Sequence, residues 1–217
     1  MLRSFFTKKI TRARLEEFLA RQASDRRTLD IGCSARAPYA KYFPDRVGVD
    51  IVAGAGVDIV ADAHALPFPD GAFDVILCSE VLEHLHTPAQ ALSEMRRVLK
   101  RGGTLILTTR FIFPIHDAPH DYYRFTKYGL RHLLEHWEIL EFQEEANTAE
   151  TMAVLLQRIG FQTELRFNVL TKAFLFFMAW IIPPLIFLIR KEYGDIKKTV
   201  SEKNILSSGY YVVCKKI

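Results

Sequence analysis

Thr28-Leu29-Asp30-Ile31-Gly32-Cys33-Ser34, TLDIGCS, is the stretch whose reading decides the fold. A short apolar run, TLDI, reads as a buried strand, and Gly32 then marks a tight turn. Asp30 lies near the strand's carboxyl end. In an open α/β sheet, ligands bind at the carboxyl ends of strands, where the strand order reverses. An acid there can meet a polar ligand, and a glycine lets the backbone approach it closely.

Outward from this stretch the same pattern recurs. RVGVDI (46–51), the short run 57–60, FDVILC (73–78) and TLILT (104–108) read as four more strands. Residues 88–99 place Ala91, Leu92, Met95, Val98 and Leu99 at helical spacing, with Lys100 and Arg101 at the carboxyl end and Gly102-Gly103 as the stop. Residues 12–21 read as a helix with Ala13, Phe18 and Leu19 on its apolar stripe. Later come a helix at 128–137, a strand at 138–142, a helix at 148–159 and a last strand at 209–214. Strands alternating with helices predict parallel βαβ units, hence an α/β, Rossmann-like, doubly wound sheet of seven strands. No internal repeat or low-complexity tract interrupts it.

Composition narrows the class. The chain has 217 residues, 49% hydrophobic and 25% charged, which suits a globular domain and excludes a disordered one. Net charge is +4. Basic residues exceed acidic ones by five within 1–27, so the remainder is near neutral and nucleic acid is not an expected partner. Cys33, Cys78 and Cys214 show no CxxC spacing, and their odd number fits a reducing, cytoplasmic setting. The basic start lacks an apolar run of signal-peptide length.

The chemistry gathers at strand ends. Asp50 closes the second strand, twenty positions after Asp30, where a carboxylate can accept hydrogen bonds from ribose hydroxyls. Asp62 and Ala63 follow the third strand and Ser79 the fourth. Each alone reads equally well as a turn or a cap; together they describe a nucleoside pocket. A nicotinamide enzyme would want G-x-G-x-x-G, and only Gly32 stands there.

LDIGCS, VGVD, DIVADAHALPFPDGAFDVILCSEVLEH and LKRGGTLILTT, in this order, resemble successive motifs of the class I S-adenosylmethionine-dependent methyltransferases, of the small-molecule, methyltransferase domain 11-like kind. The resemblance covers residues 28–109 and continues more weakly to the last strand, which in that family pairs antiparallel at the sheet edge. It implies S-adenosylmethionine as cofactor. Asp30, Gly32 and Ser34 would then hold the methionine end, Asp50 and Ile51 the ribose region, Asp62 and Ala63 the adenine, and Ser79 would lie beside the methionine portion. Ser34 and Arg36 stand where the family shows glycines. The layout implied is a basic helical segment over 1–27 and a methyltransferase domain over 28–217, with an apolar insertion at about 168–200.

Residues 113–126, FPIHDAPHDYYRFT, follow the fifth strand and are expected above the acceptor site. His116 or His120 is the candidate general base, with Asp121 as the third catalytic candidate. His84, Tyr123 and Arg124 are candidate substrate contacts, Arg124 toward an anionic group; alternatively Asp121 and Arg124 pair and brace the loop. The spacing of the Asp and His residues is not read as a metal site, and no metal is expected.

Residues 173–189 carry no charge. As one helix they would span about 25 Å, short of the about 20 residues a membrane crossing needs, and Pro183-Pro184 breaks them. Two short apolar helices are expected. Between Lys172 and Arg190-Lys191 they suit peripheral contact with the inner face of a membrane, helped by Leu2, Phe5, Phe6 and Ile10; burial against the sheet or a homodimer partner is the alternative. The functional expectations are methyl transfer to a small, lipid-linked or glycan-type acceptor at oxygen, carbon methylation of an isoprenoid quinone, or a catalytically silent relative.

Overall fold

A computed structural model describes residues 10–33 and 39–217. Ser34 and Arg36, and the apolar side chains of Leu2, Phe5 and Phe6, lie outside the described residues.

Among the described residues there are nine strands: β1 (Thr28–Ile31), β2 (Arg46–Asp50), β3 (Ile59–Val60), β4 (Phe73–Ser79), β5 (Leu99–Arg110), β6 (Trp137–Glu144), β7 (Glu192–Tyr193), β8 (Ser201–Glu202) and β9 (Gly209–Lys216). Seven of them form one mixed sheet, β3-β2-β1-β4-β5-β9-β6, mostly parallel with an antiparallel strand. All four residues of β1 are buried, as a strand covered on both faces requires. It pairs in parallel with β2, Thr28 against Arg46, and with β4, Thr28 against Val75 through Ile31 against Cys78. Strand order therefore reverses across β1 and β4, and Gly32 and Ser79 leave the sheet side by side.

The helices are α1 (Ile10–Arg21), α2 (Pro88–Val98), α3 (Lys127–Leu133), α4 (Thr148–Gln162) and α5 (Asn168–Ile181). Pro88, Ala91, Leu92, Met95 and Val98 are the buried face of α2. Ala91, Leu92, Met95 and Val98 join Leu29, Phe73, Ile76, Leu82 and Leu105 in one core.

Three local expectations change. Gly102-Gly103 does not stop a helix: α2 ends at Val98, and both glycines lie inside β5. Register slips there, from Phe73 against Leu99 to Val75 against Thr104, and Gly102 takes φ 74°, which glycine adopts without steric cost. Lys100 then pairs with Asp74 at 2.8 Å instead of serving a helix end. The helix expected at 128–137 ends at Leu133, because Trp137 already belongs to β6. Finally, β9 is not at the edge. It inserts between β5 and β6, and β6 is the edge strand.

The chain divides into two compact units. The larger, residues 16–111, 115–143 and 210–217, holds nearly all of the seven-stranded sheet. The smaller contains residues 10–15, 112–114 and 144–209. Within it, Asn147 and Glu150 cap α4 reciprocally, Arg14 pairs with Glu150, and β7 and β8 form an antiparallel pair. The apolar run forms two pieces, α5 and a 3-10 helix at Pro183–Leu188, as the two prolines dictate. Only Ala179 is buried in α5, while Phe174, Phe177 and Trp180 are exposed.

Candidate active site

The carboxyl ends of β1, β2 and β4 form one half of the site. Asp30 is fully buried. Its Oδ2 accepts a hydrogen bond from Arg46 Nη1 at 2.6 Å, while Oδ1 has no partner. Burial pushes its pKa up to about 6, against the pull of Arg46 and with a small push from Asp50. Gly32 has φ 68°, and a Cβ there would meet Val81 Cγ2 at 2.2 Å. Both facts require glycine. Its amide donates to the Val49 carbonyl at 2.8 Å.

Asp50 Oδ1 accepts from the Val52 amide at 3.2 Å, and the neighbouring Ile51 leaves 69% of its surface open. An aliphatic side chain held open beside a carboxylate suits the flat face of a planar ligand. Asp62 Oδ1 receives both the His64 amide at 2.9 Å and His64 Nδ1 at 2.6 Å. These bonds hold the Asp62 carboxyl below the usual range. Ala63 is buried beside it. Ser79 Oγ bonds Thr108 Oγ1 at 3.1 Å. Glu80 follows in a left-handed conformation, φ 60°, where a non-glycine residue is strained, and its carboxylate pairs with Arg110.

The loop after β5 forms the other half. The amides of Tyr122 and Tyr123 donate to the Glu83 carbonyl at 3.0 and 3.1 Å. They pin the loop to a 3-10 turn at Leu82–His84. His84 Nδ1 meets the His120 carbonyl at 2.7 Å, and His84 Nε2 faces His116 Nε2 at 3.2 Å. The His116 amide donates to Asp121 Oδ2 at 2.9 Å. Burial takes His116 down to about 4, although Asp121 opposes it.

His116 and His84 are thus brought together, and His120 is not. The His120 ring is exposed and lies against the Tyr122 hydroxyl at 3.2 Å; its contribution is the carbonyl. Asp121 and Arg124 form the bracing pair, 2.5 and 2.7 Å, which holds the Asp121 carboxyl well below its usual range. Asp121 therefore positions the loop rather than acting as a free acid or base. Arg124 spends two nitrogens on it, which weakens the case for an anionic acceptor group. Tyr123 donates to the His86 carbonyl at 3.0 Å and stacks on Phe125.

Sequence reasoning missed Glu83, His64 and His86. Glu83 is fully buried; Oε2 accepts from Thr109 Oγ1 at 2.7 Å and Oε1 has no partner. Burial pushes its pKa up, against Arg110. The signal available was an acid directly before His84. His64 and His86 stack at 4.1 Å between ring centroids. A concavity of about 710 Å³ lined by Arg21, Tyr42, Val75, Thr104 and Val213 lies toward the amino-terminal ends of β4 and β5, away from these groups.

A doubly wound sheet with acids at successive strand ends defines a Rossmann-like nucleoside-binding fold. Residues 29–107 match the family described as methyltransferase domain. A Methanocaldococcus jannaschii protein without assigned function is 37% identical over 99 residues, 42% of this chain and 48% of that protein. The Bacillus subtilis methyltransferase YcgJ is 34% identical over 116 residues, 45% and 44%. Its crystal structure superposes with TM-score 0.54 at 14% identity, covering 92% of this chain and 96% of that one. The demethylmenaquinone methyltransferase of Renibacterium salmoninarum is 36% identical over 94 residues, 37% and 40%. A Burkholderia thailandensis 1,6-didemethyltoxoflavin N1-methyltransferase, solved with S-adenosylhomocysteine, superposes with TM-score 0.54 at 15% identity, covering 99% and 81%. The chain spans less than half the length of the curated relatives it matches. Over residues 29–107 the chain is similar to S-adenosylmethionine-dependent methyltransferases, which implies S-adenosylmethionine as cofactor.

The residues fit that cofactor. The unpartnered, buried Asp30 Oδ1 suits an ammonium group, and the cradle at Gly32 leaves no room for a side chain. Asp50→Ala is expected to weaken S-adenosylhomocysteine binding about 10- to 100-fold, the worth of charge-assisted hydrogen bonds, measured by calorimetry. Asp30 adds a pH dependence. Because its pKa is raised from 3.8 to about 6, the cofactor-free fold binds this proton more tightly than the unfolded chain. This group's contribution to stability is therefore present at low pH and is lost as pH rises through that window. Cofactor binding runs the other way, since an ammonium needs the carboxylate. Affinity is expected to fall between about pH 7.5 and about pH 5, and Asp30→Asn is expected to flatten that dependence.

Proposed function

We propose that the chain transfers a methyl group from S-adenosylmethionine to the oxygen of a small, lipid-linked or glycan-type acceptor. The cofactor supplies an electrophilic methyl group on a sulfonium. Asp30, Gly32, Asp50, Ile51, Asp62, Ala63 and Ser79 hold and orient it. The carrying observation is the His84–His116 pair, whose Nε2 atoms face each other at 3.2 Å. That pair, not His120, is where the acceptor's proton is handled. The loop clamps from Tyr122, Tyr123 and Asp121 keep it in place, so the acceptor meets fixed groups.

Carbon methylation of an isoprenoid quinone is the second reading. The R. salmoninarum enzyme and a ubiquinone/menaquinone C-methyltransferase of Bordetella avium, 40% identical over 85 residues, favour it. The direct test is transfer of isotope-labelled methyl from S-adenosylmethionine into separated lipid-linked saccharides and quinones, followed by mass spectrometry. Label on an oxygen of the saccharide fraction is expected. Label on a quinone ring carbon selects the second reading, and no label in either fraction overturns both.

The exposed apolar side of α5 supports peripheral contact with a lipid surface. Phe174, Phe177 and Trp180 lie open on a segment flanked by Lys172 and Arg190-Lys191. Among the described residues no helix is long and apolar enough to cross a membrane. The protein is expected to float with anionic vesicles, and Phe174→Ser with Phe177→Ser to reduce flotation by most of its amplitude. Unchanged flotation would assign these side chains to a protein contact, such as a homodimer.

A further inference from the structure

We propose that Glu83, His84 and His116 form a binding site for one divalent transition-metal cation. Their ligand atoms, a Glu83 carboxylate oxygen and the ring nitrogens of both histidines, lie within 4.8 Å of one another. The His84 tautomer is fixed by its partner. A backbone carbonyl only accepts, so the 2.7 Å contact with the His120 carbonyl puts the His84 proton on Nδ1. Its Nε2 then presents a bare lone pair, aimed at His116 Nε2 3.2 Å away. At that distance either His116 donates an Nε2–H to His84 Nε2, as the Arg124 Nη2 contact to His116 Nδ1 at 3.4 Å allows, or a cation takes the place of that hydrogen.

The third group favours the cation. Glu83 Oε1 is buried, lacks a hydrogen-bond partner and lies 4.0 Å from His116 Nε2. A proton shared by the two rings would leave this oxygen unsatisfied, whereas a metal ion would engage all three groups. Metal bonds of about 2.0–2.2 Å place neighbouring ligand atoms about 3 Å apart, so the nitrogens are already spaced correctly and only the carboxylate must close in. Behind the ligands stand acceptors of the kind that orient metal-bound histidines. The His120 carbonyl backs His84, and Asp121 Oδ2 lies 3.3 Å from His116 Nδ1. Arg124 Nη2, which can only donate, also approaches that nitrogen at 3.4 Å, so metal binding moves the His116 hydrogen from Nε2 to Nδ1, where it faces Asp121.

Two imidazoles and one carboxylate select zinc, manganese, iron or cobalt over magnesium and calcium. Three protein ligands leave positions open; with both Nε2 atoms on the cation, an acceptor oxygen taken up there would release its proton to solvent more readily, the pair acting through the cation rather than as the base itself. That role rests on the methyl-transfer reading; the site itself does not. The other His-rich group, Asp62, His64 and His86, is less suited. Both ring nitrogens of His64 are engaged, Nδ1 by Asp62 and Nε2 by the Thr87 amide at 3.3 Å.

The test is titration of the chelator-stripped full chain with Co²⁺, followed by visible absorption, and with Zn²⁺ by calorimetry. Neither measurement needs donor or acceptor, so a failure of the methyl-transfer reading leaves it intact. One saturable equivalent is expected, not displaced by Mg²⁺. His84→Ala and His116→Ala are each expected to lose about 100-fold or more in affinity, and Asp121→Asn about 10- to 100-fold. His132→Ala with His136→Ala, an exposed pair elsewhere on the surface, is expected to change nothing. Glu83→Gln is expected to weaken binding while keeping the side chain's shape. Should it unfold, as circular dichroism would show, the two half-buried histidines carry the test. No Co²⁺ uptake by the folded wild type, or unchanged uptake in both histidine variants, overturns the proposal.

Discussion

The parallel pairing of β1 with β4, Thr28 against Val75 through Ile31 against Cys78, is the constraint on which the rest depends. It is the place where the winding of the sheet reverses, so the connections leaving β1 and β4 diverge and open a crevice. Everything chemical is displaced from that seam by a few residues. Gly32 leaves β1 with its amide on Val49, and Val81 beyond β4 fills the space its side chain would need. Ser79 and Glu80 are tied to Thr108 of β5. The turn at Leu82–His84 then receives the loop after β5 through the Glu83 carbonyl. A slip of one residue between β1 and β4 would disturb all of these at once.

Two buried carboxylates share one condition. Asp30 has one oxygen on Arg46, Glu83 one oxygen on Thr109, and each keeps a second oxygen without a partner. Leaving a buried polar atom unsatisfied costs about 1–3 kcal/mol, more when it is charged. Both acids respond with raised pKa values, as desolvation demands. Packing alone does not account for this cost at both the end of β1 and the turn after β4, because an apolar residue of similar size would serve better. Ligands that complete both oxygens explain the arrangement: an ammonium at Asp30 and a cation at Glu83.

Much of the frame was legible in the sequence. The buried runs of β1, β2 and β4 and the apolar stripe of α2 follow from periodicity, which is a local property. The failures lie where pairing decides. The Gly102-Gly103 dipeptide is a helix stop by local rules, yet β5 absorbs it through a slip against β4 that no local rule contains. The place of β9 between β5 and β6 is likewise set by partners distant in sequence. The placement of Asp30, Gly32, Asp50 and Asp62 at or just after strand ends was legible, because it follows from the strand pattern itself. Glu83 was not, since burial and an unpartnered oxygen have no sequence signature. His116 and His120 were inseparable in a loop rich in both histidine and aspartate. Only the fold turns one ring inward and leaves the other against Tyr122.

The two halves of the site are built by different means, and this bears on what each can specify. The donor half is mostly backbone and strand ends, with Gly32 and Asp50 fixed by the sheet itself. Such a half is common to the fold and changes little when loops change. The acceptor half is made from a 3-10 turn and a loop joined by side-chain bonds, with Asp121 serving both His116 and Arg124. On the proposed methyl-transfer reading, residues 83–86 and 115–125 are the ones that meet the acceptor. There the facing imidazoles and the buried acid beside them define a polar centre built for proton or cation chemistry rather than for binding an apolar group alone.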